Sequence, residues 1–218
     1  MLRLVSVNSG AERAIQNAKA SGKTGIYKVP VEGPVRITRH GLAGDEISDT
    51  KNHGGVDQAV YIYGVPDYDW WIGQLECSLP SGTFGENLTV AGLQSARAFI
   101  GDRISVGSAV LEITAPRIPC VTLAARMEDP SFVKRFRAAE RPGLYCRVVR
   151  EGELTVGDEV VYEPHPGPTV GALEAFRDAF DPDPSETTIR RHLAAPIDIR
   201  SRAEYEERLE ALLATRER

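Results

Sequence analysis

The sequence has no long apolar run. No stretch approaches the roughly 20 consecutive apolar residues that a membrane-spanning helix needs. At the amino terminus, the apolar stretch from Met1 to Val7 ends at Asn8, before the core of a signal peptide can form. We therefore expect a soluble, cytoplasmic protein that does not bind membranes.

Cysteine is scarce, with Cys77, Cys120 and Cys146 as the only three in 218 residues. Their number and spacing exclude a zinc ribbon, an iron–sulfur cluster and a disulfide framework. We expect free thiols in a reducing compartment. Because free cysteines are so often small buried apolar residues, at most one of the three is expected to do chemistry.

An excess of positive charge is also lacking. The chain has 26 Lys and Arg against 31 Asp and Glu, a net charge of −5, and no basic stripe interleaved with aromatic residues. This balance excludes nucleic acid as an expected partner, and any anionic ligand must be held by a local group of cations. The patterns GxGxxG, GxxxxGK(S/T), HExxH and GxSxG are absent too, which leaves no recognisable nucleotide, zinc or flavin fingerprint.

Short runs of β-branched and aromatic residues fill the first three quarters of the chain, with Gly or Pro in nearly every gap. Many short strands separated by such turns are typical of a barrel or a sandwich. The predicted strands are Leu2–Val7, Ile26–Val29, Val35–Thr38, Ala59–Tyr63, Ile104–Val106, Val110–Thr114, Leu144–Val149 and Glu159–Tyr162.

Two helices are predicted to interrupt the strands. One follows Pro66 and carries Trp70 and Trp71, and the other begins at Asp129-Pro130. The polar segment Asn8–Thr24 has no clean period and is predicted to be a loop, with a helical turn as the alternative.

The composition changes at the Pro- and Gly-rich residues 164–168, which suit a linker. We therefore divide the chain into a β body at residues 1–163 and a helical extension at residues 168–218. Three helical patterns follow the linker. Capping patterns begin at Asp183 for the second pattern and at Ser201 for the third. About fifty residues bury too little surface to fold alone, so we expect them to pack on the β body or on a second subunit, and we favour a homodimer.

One candidate site is a polar loop ahead of the strand at Ala59–Tyr63. The loop combines Gly54 and Gly55, which let a ligand approach backbone amides, with cations suited to a phosphate. Those cations are Arg39, Lys51 and His53. The alternative is a polar barrel-end loop with turn-forming glycines and solvated histidines.

A second candidate site is Cys120, which follows Pro116, Arg117 and Pro119. The two prolines hold the loop rigid, and a neighbouring guanidinium favours the reactive thiolate. The alternative is a buried cysteine at a strand end. The segment Phe84–Leu88 is a weaker candidate, in which Asn87 can recognise the edge of a heterocycle.

These motifs, taken in order, resemble the MOSC family, named after the C-terminal domain of molybdenum-cofactor sulfurases. The YiiM-type branch, with three helices after the domain, is the most similar. The motifs that carry the resemblance are residues 40–45, 53–59, 84–88, Gly101-Asp102 and 116–120.

The resemblance implies a mainly β fold: a barrel of the pyruvate-kinase-insert kind with a few short helices, followed by the three-helix extension. It also implies a molybdenum–pterin cofactor, with Cys120 as the thiolate ligand of the metal. Pyridoxal phosphate is not expected.

The implied activity is reduction of N-hydroxylated compounds, such as 6-N-hydroxylaminopurine, to amines. We assign cofactor contacts to Arg117, Lys51, His53, Gly54, Gly55, Asp57, Gln58 and Asn87. His53 is also the expected acid that protonates the leaving hydroxyl. Because the chain has no flavin, nicotinamide or iron–sulfur motif, we expect a separate flavoprotein reductase to supply electrons. The alternative function is a non-redox carrier of the cofactor, or of sulfur as a persulfide on Cys120.

Overall fold

A computed structural model describes residues 1–18, 22–47 and 54–216. Its strands are β1 (Leu2–Ser9), β2 (Arg13–Ala14), β3 (Lys23–Thr24), β4 (Val29–Pro30), β5 (Val35–Thr38), β6 (Gly41–Leu42), β7 (Val60–Gly64), β8 (Leu88–Ala91), β9 (Arg103–Val106), β10 (Ala109–Pro116), β11 (Leu144–Arg150), β12 (Gly152–Leu154) and β13 (Glu159–Glu163). Its α-helices are α1 (Val65–Leu75), α2 (Val121–Arg126), α3 (Phe132–Ala139), α4 (Ala172–Asp178), α5 (Glu186–Ala194) and α6 (Ile199–Arg216). Within these described ranges, no helix is both long and apolar enough to cross a membrane.

Seven of the described strands close into a barrel. Their order is β13-β9-β10-β11-β7-β8-β1, and β1 pairs back to β13. Neighbouring strands are antiparallel except β7 and β8, which are parallel and are linked through α1. The barrel expectation is confirmed, and the sandwich alternative is wrong.

The strand predictions need three corrections. The barrel strand β8 and the short strands β6 and β12 were not predicted. The run Ile26–Val29 is not a strand along its length, because pairing begins only at Val29. The chain before it is pressed against a neighbouring loop: a Cβ on Gly25 would lie 1.9 Å from the carbonyl oxygen of Glu46. The predicted loop Asn8–Thr24 contains the paired strands β2 and β3.

The two helices predicted within the β body correspond to α1 and α3. Helix α2, which lies between them in sequence, was not predicted. Helix α3 begins at Phe132 and not at Asp129-Pro130. The Asp129 carboxylate instead accepts a hydrogen bond from the backbone N–H of Ser131 (2.8 Å), forming a turn ahead of the helix.

The predicted caps of the last two helices are wrong by a few residues. Ser185, not Asp183, caps α5 by accepting from the N–H of Thr188 (3.1 Å). Helix α6 begins at Ile199, before Ser201. The buried Asp198 accepts from the N–H of Arg200 (3.1 Å) and from that of Ser201 (3.2 Å).

The helical tail packs on its own barrel. The N–H of Asp198 donates to the carbonyl of Thr114 in β10 (3.2 Å), and Arg147 of β11 donates to the carbonyl of Pro196 (2.9 Å). The apolar residues that the tail adds to the barrel core are Val170, Ala172, Ala175, Ile189, Ala195, Ile197 and Tyr205. The homodimer remains a prediction.

A second core, rich in aromatic rings, joins α1 and α3 to the barrel. Trp71, Phe84, Phe132 and Phe136 are each at most 1% exposed. Their ring centroids are 5.0 to 6.4 Å apart. Burying each such ring stabilises the fold by roughly 1.5–3 kcal/mol. This core fixes Phe84, whose backbone takes part in the site described next.

Candidate functional site

Cys120 lies where the chain leaves β10 and enters α2. Its carbonyl accepts hydrogen bonds from the N–H groups of Leu123 (3.0 Å) and Ala124 (3.2 Å), so the residue is fixed at the start of the helix. Its side chain is partly exposed and lines a cavity. By contrast, Cys77 is on the surface and Cys146 is in the barrel core, where burial raises the pKa of its thiol. Cys120 is therefore the thiol best placed to meet a ligand.

Arg117 brings a buried positive charge beside Cys120. The residue is 4% exposed, donates a hydrogen bond to the carbonyl of Phe84, and lies over the ring of Tyr61, 5.0 Å from its centroid. Its Nε atom is buried and has no hydrogen-bond partner in the part of the chain that the structure describes. Because a guanidinium stays charged in proteins, this group has unused capacity for an anion.

Gly85 makes room for this arrangement. Its φ of +76° lies in the left-handed region that favours glycine. A Cβ there would lie 2.7 Å from Cγ1 of Ile26 and 3.5 Å from the guanidinium of Arg117. The glycine thus allows the backbone after Phe84 to approach the buried arginine.

A second cation, Lys28, is paired inside the same cavity. Its Nζ contacts Oδ1 of Asp45, and both side chains are less than 10% exposed. Burial lowers the pKa of Lys28, whereas Asp45 acts to raise it. Asp45 also accepts from the N–H of Gly10 (2.9 Å) and from the amide of Asn87 (2.9 Å), so its negative charge is well supported.

Asn87 acts mainly as a structural bridge. Its Oδ1 accepts from the N–H of Tyr61 (3.0 Å), and its Nδ2 donates to Asp45 and to the carbonyl of Asn8. The residue lines the cavity, as a cofactor contact requires. Its amide nevertheless has little capacity left for a heterocycle edge.

Glu86 is fully buried behind the cavity wall. Its Oε1 accepts from the hydroxyl of Tyr68 (2.6 Å), the N–H of Gly82 (2.6 Å) and the hydroxyl of Thr89 (2.9 Å). Its Oε2 accepts no hydrogen bond from any residue within 1–18, 22–47 and 54–216. Burial raises the pKa of this carboxyl, although its hydrogen bonds oppose the shift.

A first cavity of about 90 Å³ is lined by most of the residues described above, namely Lys28, Asp45, Gly85, Asn87, Arg117 and Cys120. Its cations are Lys23, Lys28 and Arg117, and its acids are Asp45 and Glu46. A second cavity of about 410 Å³ lies between the barrel and the tail helices. Gln58, Cys120 and Tyr145 line both cavities, so the thiol lies between them.

The structure brings some of the predicted site residues together and separates others. Arg117, Cys120, Gly54, Gln58 and Asn87 all line the first cavity. Predicted residues Lys51 and His53 lie outside the described residues, whereas Arg39 is exposed.

Asp57 and Gln58 hold the helical tail. Oδ2 of Asp57 accepts from the N–H of Ile199 at the start of α6 (2.8 Å), and Oε1 of Gln58 accepts from Arg200 (3.0 Å). Gly55 begins this turn with a φ of +81°.

The sequence analysis did not identify Lys28 or Tyr145 as site residues. The position of Lys28 within the apolar run Ile26–Val29 could have predicted a buried ion pair, because a buried lysine needs a charged or polar partner. Tyr145 lies in a predicted strand, and nothing in its local pattern separates it from a core tyrosine. Among the described residues, no group of three or more His, Cys, Asp or Glu side chains is arranged to hold a metal ion.

Comparison with known proteins gives consistent matches. The MOSC domain profile matches residues 49–161. The Bacillus subtilis protein YflK is 36% identical over 154 residues, which cover 71% of this chain and 70% of that protein. A Gibberella moniliformis protein named "Reductase" is 33% identical over 156 residues, which are 70% of this chain but 28% of that protein.

Solved structures agree on the fold. The crystal structure of YiiM from Geobacillus stearothermophilus superposes with a TM-score of 0.79 at 23% identity, covering 96% of this chain and all of that one. The Escherichia coli YiiM structure gives a TM-score of 0.75 at 22% identity, covering 97% of this chain and 94% of that one. The similarity includes the tail helices, because it extends well past the barrel.

Proposed function

This chain belongs to the MOSC domain family, and we propose that it is a molybdenum-cofactor-dependent oxidoreductase that reduces N-hydroxylated compounds to amines. MOSC domains are associated with molybdenum-cofactor binding. One relative is named a reductase, although this chain spans only 28% of its length. The proposal rests above all on Cys120, which lies at a cavity beside the buried, incompletely bonded Arg117.

The residues present fit such a cofactor. A cysteine thiolate is a soft ligand that suits molybdenum, and Cys120 is accessible from two cavities. A pterin phosphate needs cations and unused donors. Arg117 offers a buried Nε that has no partner among the described residues. Lys23 and Lys28 line the same cavity, where they are paired with Glu12 and Asp45. We therefore propose Cys120 as the metal ligand and Arg117 as the main anion contact.

The proposed reaction cleaves an N–O bond. It consumes two electrons and two protons and yields an amine and water. When bound, the molybdenum–pterin group supplies the two-electron chemistry, and the protein orients substrate and protons.

His53 remains our proposed proton donor. The side chain of Tyr145 lines both cavities beside Cys120, where it can contact the substrate.

The remaining parts of the proposal concern partners and location. A separate flavoprotein reductase delivers the electrons from NAD(P)H. The chain works in the cytoplasm as a homodimer, and neither nucleic acid nor membrane is a partner.

The test is to express the chain in a host that makes the molybdenum cofactor, and to measure both bound molybdenum and reduction of 6-N-hydroxylaminopurine. Cys120→Ser replaces the soft thiolate by a largely protonated hydroxyl, so we expect bound molybdenum and turnover to fall to background. The matched control is Cys77→Ser, because Cys77 is exposed and lines neither cavity.

Other outcomes would redirect the proposal. A Cys120→Ser protein that keeps molybdenum and turnover would remove Cys120 as the ligand. Labile sulfur on Cys120 without any turnover would favour the carrier function.

A further inference from the structure

The second cavity has features of a ligand site of its own. Its barrel wall includes Cys120, Tyr145 and Gln58, and its opposite wall comes from α4, α5 and α6. Its volume of about 410 Å³ lies within the usual range for sites that bind small molecules. The tail therefore completes a partly open cavity that reaches the thiol.

Two tyrosine hydroxyls in this cavity are unused. Tyr145 and Tyr205 both line it, and neither hydroxyl forms a hydrogen bond with any residue that the structure describes. The buried tyrosines elsewhere are different, because Tyr61 and Tyr63 each donate to a backbone carbonyl at 2.8–2.9 Å. Neither hydroxyl is among the buried polar atoms that lack a partner, so both can be reached from the cavity and can donate to a polar ligand.

One wall of the cavity is flat and rigid. The ring of His192 stacks on that of Tyr205, with centroids 4.5 Å apart and planes inclined by 25°. His192 is 2% exposed, and its Nε2 lies 2.8 Å from Oδ2 of Asp178, which holds the ring in place. Apolar contacts from Ile118 and Ile197 line other parts of the cavity. Such a surface suits a planar ring.

The two cavities differ in charge. The first contains three cations, Lys23, Lys28 and Arg117, against two acids, Asp45 and Glu46. The second contains Asp178, Asp198 and Glu204 against the single arginine Arg208, which bonds to Glu204 (2.6 Å). Anions are therefore favoured on one side of Cys120 and disfavoured on the other.

We propose that the second cavity is the substrate site, and that it binds an uncharged, planar nitrogen heterocycle carrying an N–OH group. The N–OH group lies at the Cys120 end, and the hydroxyls of Tyr145 and Tyr205 donate hydrogen bonds to acceptor atoms of the ring. This inference rests on the proposed function, because that function supplies the N-hydroxylated class of ligand. It adds that the tail helices select the substrate, while the first cavity takes the anionic part of the cofactor.

Isothermal titration of the full-length, cofactor-free chain with 6-N-hydroxylaminopurine tests the site directly. Ala179→Phe fills the cavity from an exposed lining position, and we expect it to weaken binding at least tenfold. Tyr205→Phe removes one hydrogen bond but keeps the stacked ring, which corresponds to roughly a two- to tenfold loss. The matched control is Tyr162→Phe, because the Tyr162 hydroxyl bonds to Asp102 and lines neither cavity. We expect this variant to bind the probe with an affinity within about twofold of that of wild type.

Three results would overturn the inference: no binding of the probe to wild type, equal affinities for all variants, or binding weakened by Arg117→Gln but not by Ala179→Phe. Because titration needs neither cofactor nor electron donor, binding without turnover would count only against the proposed function. Turnover with an unchanged KM in Ala179→Phe would count only against the substrate site.

Discussion

Asp57 connects the glycine-rich loop to the helical tail, and its removal should loosen that tail. In the Asp57→Ala variant, the N–H of Ile199 loses the acceptor that lies 2.8 Å away. The side chain of Arg147 loses an ion pair of 3.4 Å, although Glu112 remains 3.8 Å from it.

The expected magnitude follows from these two contacts. A lost carboxylate at the start of a helix costs about 1 kcal/mol, within a range of roughly 0.5–2 kcal/mol. The ion pair contributes less than about 1 kcal/mol, because Arg147 is 30% exposed and keeps Glu112 nearby. The free energy of unfolding should therefore fall by roughly 1–3 kcal/mol. For a protein of this size, that lowers Tm by roughly 2–12 °C.

Calorimetry measures the change in Tm, and hydrogen exchange locates it. We expect amides of α6 to lose protection while those of β10 and β11 keep it. Asp57→Asn, which keeps an acceptor but loses the charge, should fall between wild type and Asp57→Ala. The exposed Asp69 provides the control variant Asp69→Ala. An unchanged Tm and unchanged protection of α6, combined with weaker cofactor binding, would refute this reasoning and support the predicted role of Asp57 as a cofactor contact.

Three further predictions concern the buried charges and the electron supply. Asp45→Ala leaves Lys28 buried without its counter-ion, so the free energy of unfolding measured by urea titration should fall by roughly 3–5 kcal/mol. The double variant Lys28→Met/Asp45→Ala should be less destabilised than Asp45→Ala alone, because it leaves no unpaired charge. Equal losses in the single and double variants would show that the pair is not coupled. Because burial raises the pKa of Glu86, the folded chain binds a proton on this carboxyl more tightly than the unfolded chain does. The free energy of unfolding of wild type should therefore increase relative to that of Glu86→Gln as the pH falls from about 8 to about 5. A constant difference across that range would contradict the raised pKa. Turnover with NADPH should need an added flavoprotein reductase, and NADPH oxidation coupled to substrate reduction by the purified chain alone would contradict this requirement.

Much of the barrel could be predicted from the sequence, because its strands are short apolar runs bounded by Gly and Pro. The failures occur where distant residues decide the local structure. Gly25 lies against Glu46, and the N–H of Lys28 donates to the carbonyl of Ile26 (2.9 Å), so the run Ile26–Val29 turns instead of pairing along its length. Helix α6 begins at Ile199 because Asp198 is buried against β10, and no local pattern distinguishes that cap from Ser201.

The candidate site was predictable in its motifs but less so in its roles. Cys120 and Arg117 do share a cavity, as the rigid Pro-containing loop suggested. Asn87 and Asp57 occupy motif positions, yet most of their hydrogen bonds are made to other residues of the chain. The partner of Lys28 is seventeen residues away in sequence, so the ion pair becomes visible only in the fold.

The pairing of β1 with β13 also sets an order for folding during synthesis. Leu2 pairs with Val160, so the barrel cannot close until nearly three quarters of the chain has been made. Until then β1 and β9 each present an unpaired edge, which is a template for association between nascent chains. Contacts between such distant residues also slow folding, because the long intervening loop must be closed first. A chaperone that shields the amino-terminal strand would therefore act earliest on this protein, well before its tail helices exist.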